Sequence, residues 1–247
     1  MGAIRAFLLS IFQCTTWDDG RNAETPPQWG LTKGLNPIPP GGTVLSRENA
    51  MAIAIQTDDL WSRYTMALED VGRRLARICR ALEEAAVPYA LVGGQAVALW
   101  VASKDPAAVR TTKDVDMLLR REDLPRARAA ALAADMDYFE VMGVGMFLDR
   151  QDPNPRHAVH LVWAGERVRP EYELPSPAVE ERQSLAPGMQ VVSLPGLVRM
   201  KLVSSRDQDR LHLRDMIDVG LIGRELMAGL PAELAARLDV LLSEAGR

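Results

Sequence analysis

Cysteine is nearly missing. Two residues, Cys14 and Cys79, occur in 247, far apart and without a motif spacing. The sequence therefore reads as a chain without a disulfide framework or a zinc site, from a reducing compartment. Long apolar runs are missing too: nothing approaches the ~20 residues that cross a bilayer. The opening "MGAIRAFLLSIF" has a short apolar stretch, but "QCTTWDDG" offers no small-residue cleavage site. A cytoplasmic protein with no membrane partner is expected. Charge of one sign is not in excess: 29 Lys and Arg face 33 Asp and Glu, a formal net charge of −4. Such a chain is no general nucleic-acid coat, although a local basic groove stays open. The Arg-rich "LLRREDLPRARAA" could touch RNA, but aromatic residues, at 5%, leave few stacking partners for a single strand.

Gly and Pro punctuate residues 18–42, and no apolar period survives there. Residues 1–50 are expected to form a disordered or loosely attached arm, and Met51 is an alternative start. A helical period follows: Tyr64, Leu68, Val71, Leu75, Ile78 and Leu82 share one stripe of a helix over 57–86. Next come a short apolar strand in "PYALVGG", a helix from Gln95 to about Ser103, and the strand "VDMLL". A helix over 122–135 follows, then strand-like runs in "YFEVMGVGMFLD" and "AVHLVWAG". Residues 169–181 read as a polar, Pro-rich connection. "MQVVSL" reads as a strand, and helices are expected over 196–205, 208–222 and 231–244. The expected fold class is α/β (α+β): a small mixed sheet flanked by helices over 51–194, with a helical C-terminal part, 195–247, packing on it.

Two short motifs carry chemistry. Gly93 and Gly94 end a strand and open a helix, whose first turn offers free N–H groups and the positive end of the dipole. Glycine lets a phosphate oxygen approach that backbone, and Gln95 could add a donor. No Gly-Lys-Ser/Thr and no third glycine follow, so this is neither a Walker loop nor a dinucleotide fingerprint. By itself the pair is equally a tight turn. Asp114 and Asp116 lie two apart in a strand, so their carboxylates share a face while Val115 and Met117 turn to the other. A dication removes the repulsion between them, and strand-borne oxygen ligands suit Mg²⁺, which also binds phosphates. Two such ions could activate a hydroxyl and steady a leaving pyrophosphate. By themselves the two aspartates are equally a solvated strand edge.

The order strand, Gly-Gly, helix, strand with D-x-D resembles the nucleotidyltransferase fold of the polymerase-beta-like superfamily. "VGGQA" and "RTTKDVDML" carry the resemblance, with Arg110, Thr112, Asp114 and Asp116 fitting R-x-T-x-D-x-D. "LVRMKL" and "LRDMIDV" resemble the lysine and the Arg-Asp-x-x-Asp helix of the abortive-infection, type IV toxin branch. The resemblance covers about residues 82–222. It implies transfer of a nucleoside monophosphate from an NTP such as ATP to a hydroxyl on an RNA end, a protein or a small molecule, with Mg²⁺ and release of pyrophosphate. It implies further that Arg110, Thr112 and Lys201 contact the nucleotide, that Asp215 lies in a later acidic motif, and that an antitoxin partner is possible.

One feature departs from the family pattern. A third carboxylate is usual on a later strand, and His160 stands there. Histidine is a poorer Mg²⁺ ligand but a competent general base. His160 could take the acceptor's proton; Glu140, Asp149 or Glu166 could supply the acid; or the chain could be a nucleotide-binding or partner-binding module without turnover. His157 and His212 read as surface or packing residues. Arg206 with Asp209 and Arg214 with Asp218 read as ion pairs of a solvated helix. Lys201, among Leu197, Val198, Met200 and Leu202, either snorkels or points into the cleft.

Overall fold

The computed structural model describes residues 47–246, and Cys14 and the expected arm up to residue 46 lie outside them. The chain divides into two units, residues 1–67 and 68–247. The division falls within the first helix, α1 (Arg47–Glu84), which starts ten residues before the expected 57 and includes residues 47–50. Val71, Leu75, Ile78 and Leu82 of the expected stripe are buried, whereas the side chain of Tyr64 lies outside the described set. Cys79, on the same helix, is a buried free thiol, and burial pushes its pKa up to about 12.

The second unit is built on one seven-stranded mixed sheet of order β3-β4-β5-β2-β1-β7-β6. Its strands are β1 (Ala90–Val92), β2 (Val115–Leu119), β3 (Met136–Val141), β4 (Val144–Asp149), β5 (Val159–Trp163), β6 (Arg182–Ala186) and β7 (Met189–Val192). β1 runs antiparallel to β2 and parallel to β7, and β2 runs parallel to β5. The centre is apolar because it is covered: Leu91, Val115, Met117, Leu118, Leu119 and Val159 are all buried.

Helix α2 (Gly93–Ala102) packs on β1 and β2, and α3 (Leu124–Ala133) packs on β3. Trp100 of α2 donates its Nε1–H to the Val192 carbonyl, 3.1 Å away, tying the helix to β7. Helices α4 (Leu194–Ser204), α5 (Asp207–Asp218) and α6 (Ala232–Glu244) pack on one another, and α2 meets both α4 and α5. Ser193 caps α4 by accepting the Gly196 N–H at 3.3 Å.

Two local expectations are corrected. "YFEVMGVGMFLD" is not one strand but the hairpin β3–β4. Met142 and Gly143 both have positive φ, 51° and 80°, as a two-residue reversal requires. The second correction is the edge strand β6, unforeseen because "RQSLA" has no apolar alternation. It is held by its antiparallel pairing with β7, not by a buried face.

Candidate active site

Four segments converge at one end of the central strands. β1 ends at Val92, and α2 begins at once with Gly93. No side chain caps that helix, so its first N–H groups are not spent on a cap. Gly93 has φ +67°, the left-handed region, and a Cβ there would fall 2.0 Å from Asp116 Oδ2. A Cβ on Gly94 would lie 2.8 Å from Thr112 Oγ1. The two glycines are thus the surface against which Asp116 and Thr112 rest. The glycine turn and the aspartates share one place, because Val92 is the register partner of Asp116.

Asp116 lies within β2 and is half-buried, while Asp114 is exposed and precedes the strand by one residue. Burial raises the Asp116 pKa above the carboxylate norm, and Asp114 pushes the same way; His160, Lys201 and Arg206 oppose it. The parallel register sets His160 of β5 directly beside Asp116. The other candidate acids are engaged elsewhere. Glu140 accepts from the Tyr138 hydroxyl at 2.7 Å, Asp149 pairs with Arg77, and Glu166 takes two hydrogen bonds from Arg121. None of the three is among the strongest influences on Asp116.

Asp114 and Asp116 make no ion pair with a side chain among the described residues, where many other acids are paired. No group of three or more His, Cys, Asp or Glu forms a metal cage among those residues. The donor set is therefore two carboxylates, one half-buried at a charge cost that a cation would relieve. That fits a divalent ion such as Mg²⁺, which keeps several waters and shares phosphate oxygens.

The remaining candidates occupy a second layer. Gln95 donates its Nε2–H to the Thr112 carbonyl at 3.1 Å, bracing the loop before β2. Arg110 Nε reaches both oxygens of Asp215, at 2.9 and 2.8 Å, joining that loop to α5. Lys201 is buried rather than snorkelling, and its Nζ donates to Asp209 Oδ1 at 2.7 Å. Arg206 does pair with Asp209, but Asp209 is 1% exposed rather than solvated. Burial works against that carboxylate, yet Arg206, Lys201 and Ser204 outweigh it and hold its pKa at about 2. Arg214 pairs with Glu244 of α6 at 2.6 Å.

A cavity of about 150 Å³ runs between α2 and α5, with Gly94 and Thr112 among its lining residues. His212 lines it, buried, with Nδ1 lacking a partner. Burial lowers the His212 pKa, and nearby Lys201 adds to the effect. His157 pairs instead with Asp152 at the surface. Asp209 and Arg206 escaped sequence reasoning as site residues. Their signal was present as the three-residue spacing, but nothing local showed that it was buried beside Lys201.

No curated protein sequence matches the chain. Among solved structures it is similar to ANT(2″)-Ia in complex with adenylyl-2″-tobramycin. That likeness has 13% identity, a TM-score of 0.42, and covers 71% of this chain and 98% of the other. It is similar also to an antigenic nucleotidyltransferase-like protein from Paracoccidioides brasiliensis, with 18% identity, a TM-score of 0.47, and 71% and 88% covered. The family model described as "Nucleotidyl transferase AbiEii toxin, Type IV TA system" matches residues 73–247, a span that holds both glycines, both aspartates, His160 and Lys201. The chain belongs to the AbiEii nucleotidyl transferase family and is a nucleotidyltransferase.

Proposed function

We propose that the protein moves a nucleoside monophosphate from an NTP to a hydroxyl acceptor, with Mg²⁺ held by Asp114 and Asp116. The contact between Gly93 and the Asp116 carboxylate carries this reading. It supports a triphosphate that can meet the α2 backbone N–H groups and the two acids at once. The acceptor oxygen attacks the α-phosphorus, the bond to pyrophosphate breaks, and the acceptor's proton passes to His160. Mg²⁺, when bound, neutralises phosphate charge and steadies the leaving pyrophosphate. The protein's own work is positioning and charge: the backbone N–H groups of the Gly93–Gly94 turn donate to the phosphates, and Lys201 adds positive charge. Gln95, Arg110 and Thr112 hold the loop that presents Asp114.

The family supports a toxin of a toxin–antitoxin pair, neutralised by a partner protein, acting in the cytoplasm on an RNA end, a protein or a small molecule. Incubating total RNA and protein with each labelled NTP and Mg²⁺, with mass spectrometry of the products, tests the reaction and names the acceptor. Wild type should label one class and release pyrophosphate, and Asp116→Ala should do neither. Equal labelling by both would remove the proposed role of the carboxylates.

A further inference from the structure

The turn between α4 and α5 gathers two cations onto one carboxylate. Lys201 sits near the end of α4, Ser205 closes that helix in the left-handed region at φ 44°, and Arg206 leads into α5. Asp209, one turn further, accepts Lys201 Nζ on Oδ1 at 2.7 Å. Its Oδ2 accepts the Ser204 hydroxyl at 2.6 Å and Arg206 Nε at 2.8 Å. The Lys201–Asp209 pair is almost fully buried, at 7% and 1% exposure.

Stability alone explains this poorly. A buried ion pair gains little over well-packed apolar residues, because desolvation offsets its attraction. Two cations on one carboxylate also leave one positive charge over. The turn lies against the glycine helix: α2 packs on both α4 and α5, and α5 lines the same cavity as Gly94 and Thr112. Neither cation is used up: Lys201 spends one of its three N–H donors on Asp209, and Arg206 spends only Nε. Arg206 is 62% exposed, so its remaining donors are open to a ligand.

We propose that Asp209 is a positioning residue that holds Lys201 and Arg206 together as a two-cation seat for the triphosphate beside Asp116. The inference rests on the nucleotide-site reading and adds Arg206 as a phosphate-binding side chain and Asp209 as the group that fixes its geometry. Lys201 approaches from the buried side and Arg206 from the solvent side. The seat therefore suits a polyphosphate chain, not a single phosphate.

Calorimetric titration of the full chain with inorganic tripolyphosphate in chelator reads the protein's own cations, without base, acceptor or metal. Arg206→Gln should weaken binding about tenfold, the scale of one charge-assisted hydrogen bond, in a variant that melts lower for want of its bond to Asp209 but stays folded at the titration temperature. Asp209→Asn should weaken it comparably in the wild-type background, but less than about twofold when Lys201→Ala and Arg206→Ala are already present, because it acts through them. Wild-type affinity in Arg206→Gln would overturn the proposal, as would an equal loss from Asp209→Asn in both backgrounds. Arg206→Gln decides the matter even if Asp209→Asn does not fold. Wild type that binds MgNTP while its tripolyphosphate affinity ignores both residues sinks this inference alone. Wild type that binds neither tripolyphosphate nor any MgNTP sinks the nucleotide site with it.

Discussion

The Asp116 carboxylate stands where a side chain on Gly93 would be, 2.0 Å from the position its Cβ would take. The helix that offers backbone N–H groups and the strand that offers the acid are thus in contact, and one residue type permits it. Gly93→Ala should fail twice. A left-handed φ costs a residue with a Cβ roughly 1–2 kcal/mol, and the new methyl must displace Asp116. Thermal unfolding should show that loss, and pyrophosphate release should fall by about 10² or more, the scale of one preorganised electrostatic contact. Gly94→Ala, meeting only the Thr112 side chain at ordinary φ, should be milder on both measures.

The proposed metal-holding role of Asp116 comes at a cost in stability. Its folded pKa is raised by burial, so at neutral pH the fold carries a charge the unfolded chain holds more easily. The sign follows: the penalty is full above the folded pKa and disappears as pH falls below the unfolded value. In chelator at pH 7, Asp116→Asn should melt no lower than wild type, and higher if burial dominates. The same variant should lose about 10²–10³ in turnover with Mg²⁺. A clear drop in melting temperature would mean that the carboxylate has a structural partner.

His160 separates base from bystander. If it accepts the acceptor's proton, His160→Ala should lower kcat by about 10²–10⁴ while leaving the affinity for MgNTP within a few fold. Binding and single-turnover transfer, measured on the same preparation, decide it. A loss confined to nucleotide affinity would assign His160 to the phosphates or the metal instead.

Acid should reach Asp209 late. Its folded pKa of about 2 lies below the unfolded carboxylate value. The stability it contributes is present above about pH 4 and is lost as pH falls toward 2, roughly 2–3 kcal/mol for a shift of that size. Urea unfolding across that window should show a slope that Asp209→Asn lacks. At pH 7 the same variant should be less stable by about 3–5 kcal/mol, because Lys201 is left buried without its anion.

The candidate site was legible where its signal was local. A glycine pair closing an apolar strand, and two acids spaced by the strand period, need only neighbouring residues to be recognised. The register that puts His160 beside Asp116 followed the family pattern, since a strand in the right place brings its side chain with it. What stayed hidden depended on burial. Arg206 and Asp209 look like any surface pair at helical spacing, and only the packing of α4 against α5 shows that Lys201 completes the group. β6 was hidden for the opposite reason: pairing holds it without a buried apolar face, so its side chains carry no pattern.

The parallel partnership of β1 with β7 sets a timetable. Leu91 pairs with Val191, so the strand that ends in the glycine turn keeps one flank open until a segment 100 residues later has arrived. Lys201, Arg206 and Asp209 come later still. A ribosome making this chain releases the glycines and the aspartates first and the cations last. The cluster of Lys201, Arg206 and Asp209 is therefore missing through most of translation and assembles only as the last helices fold.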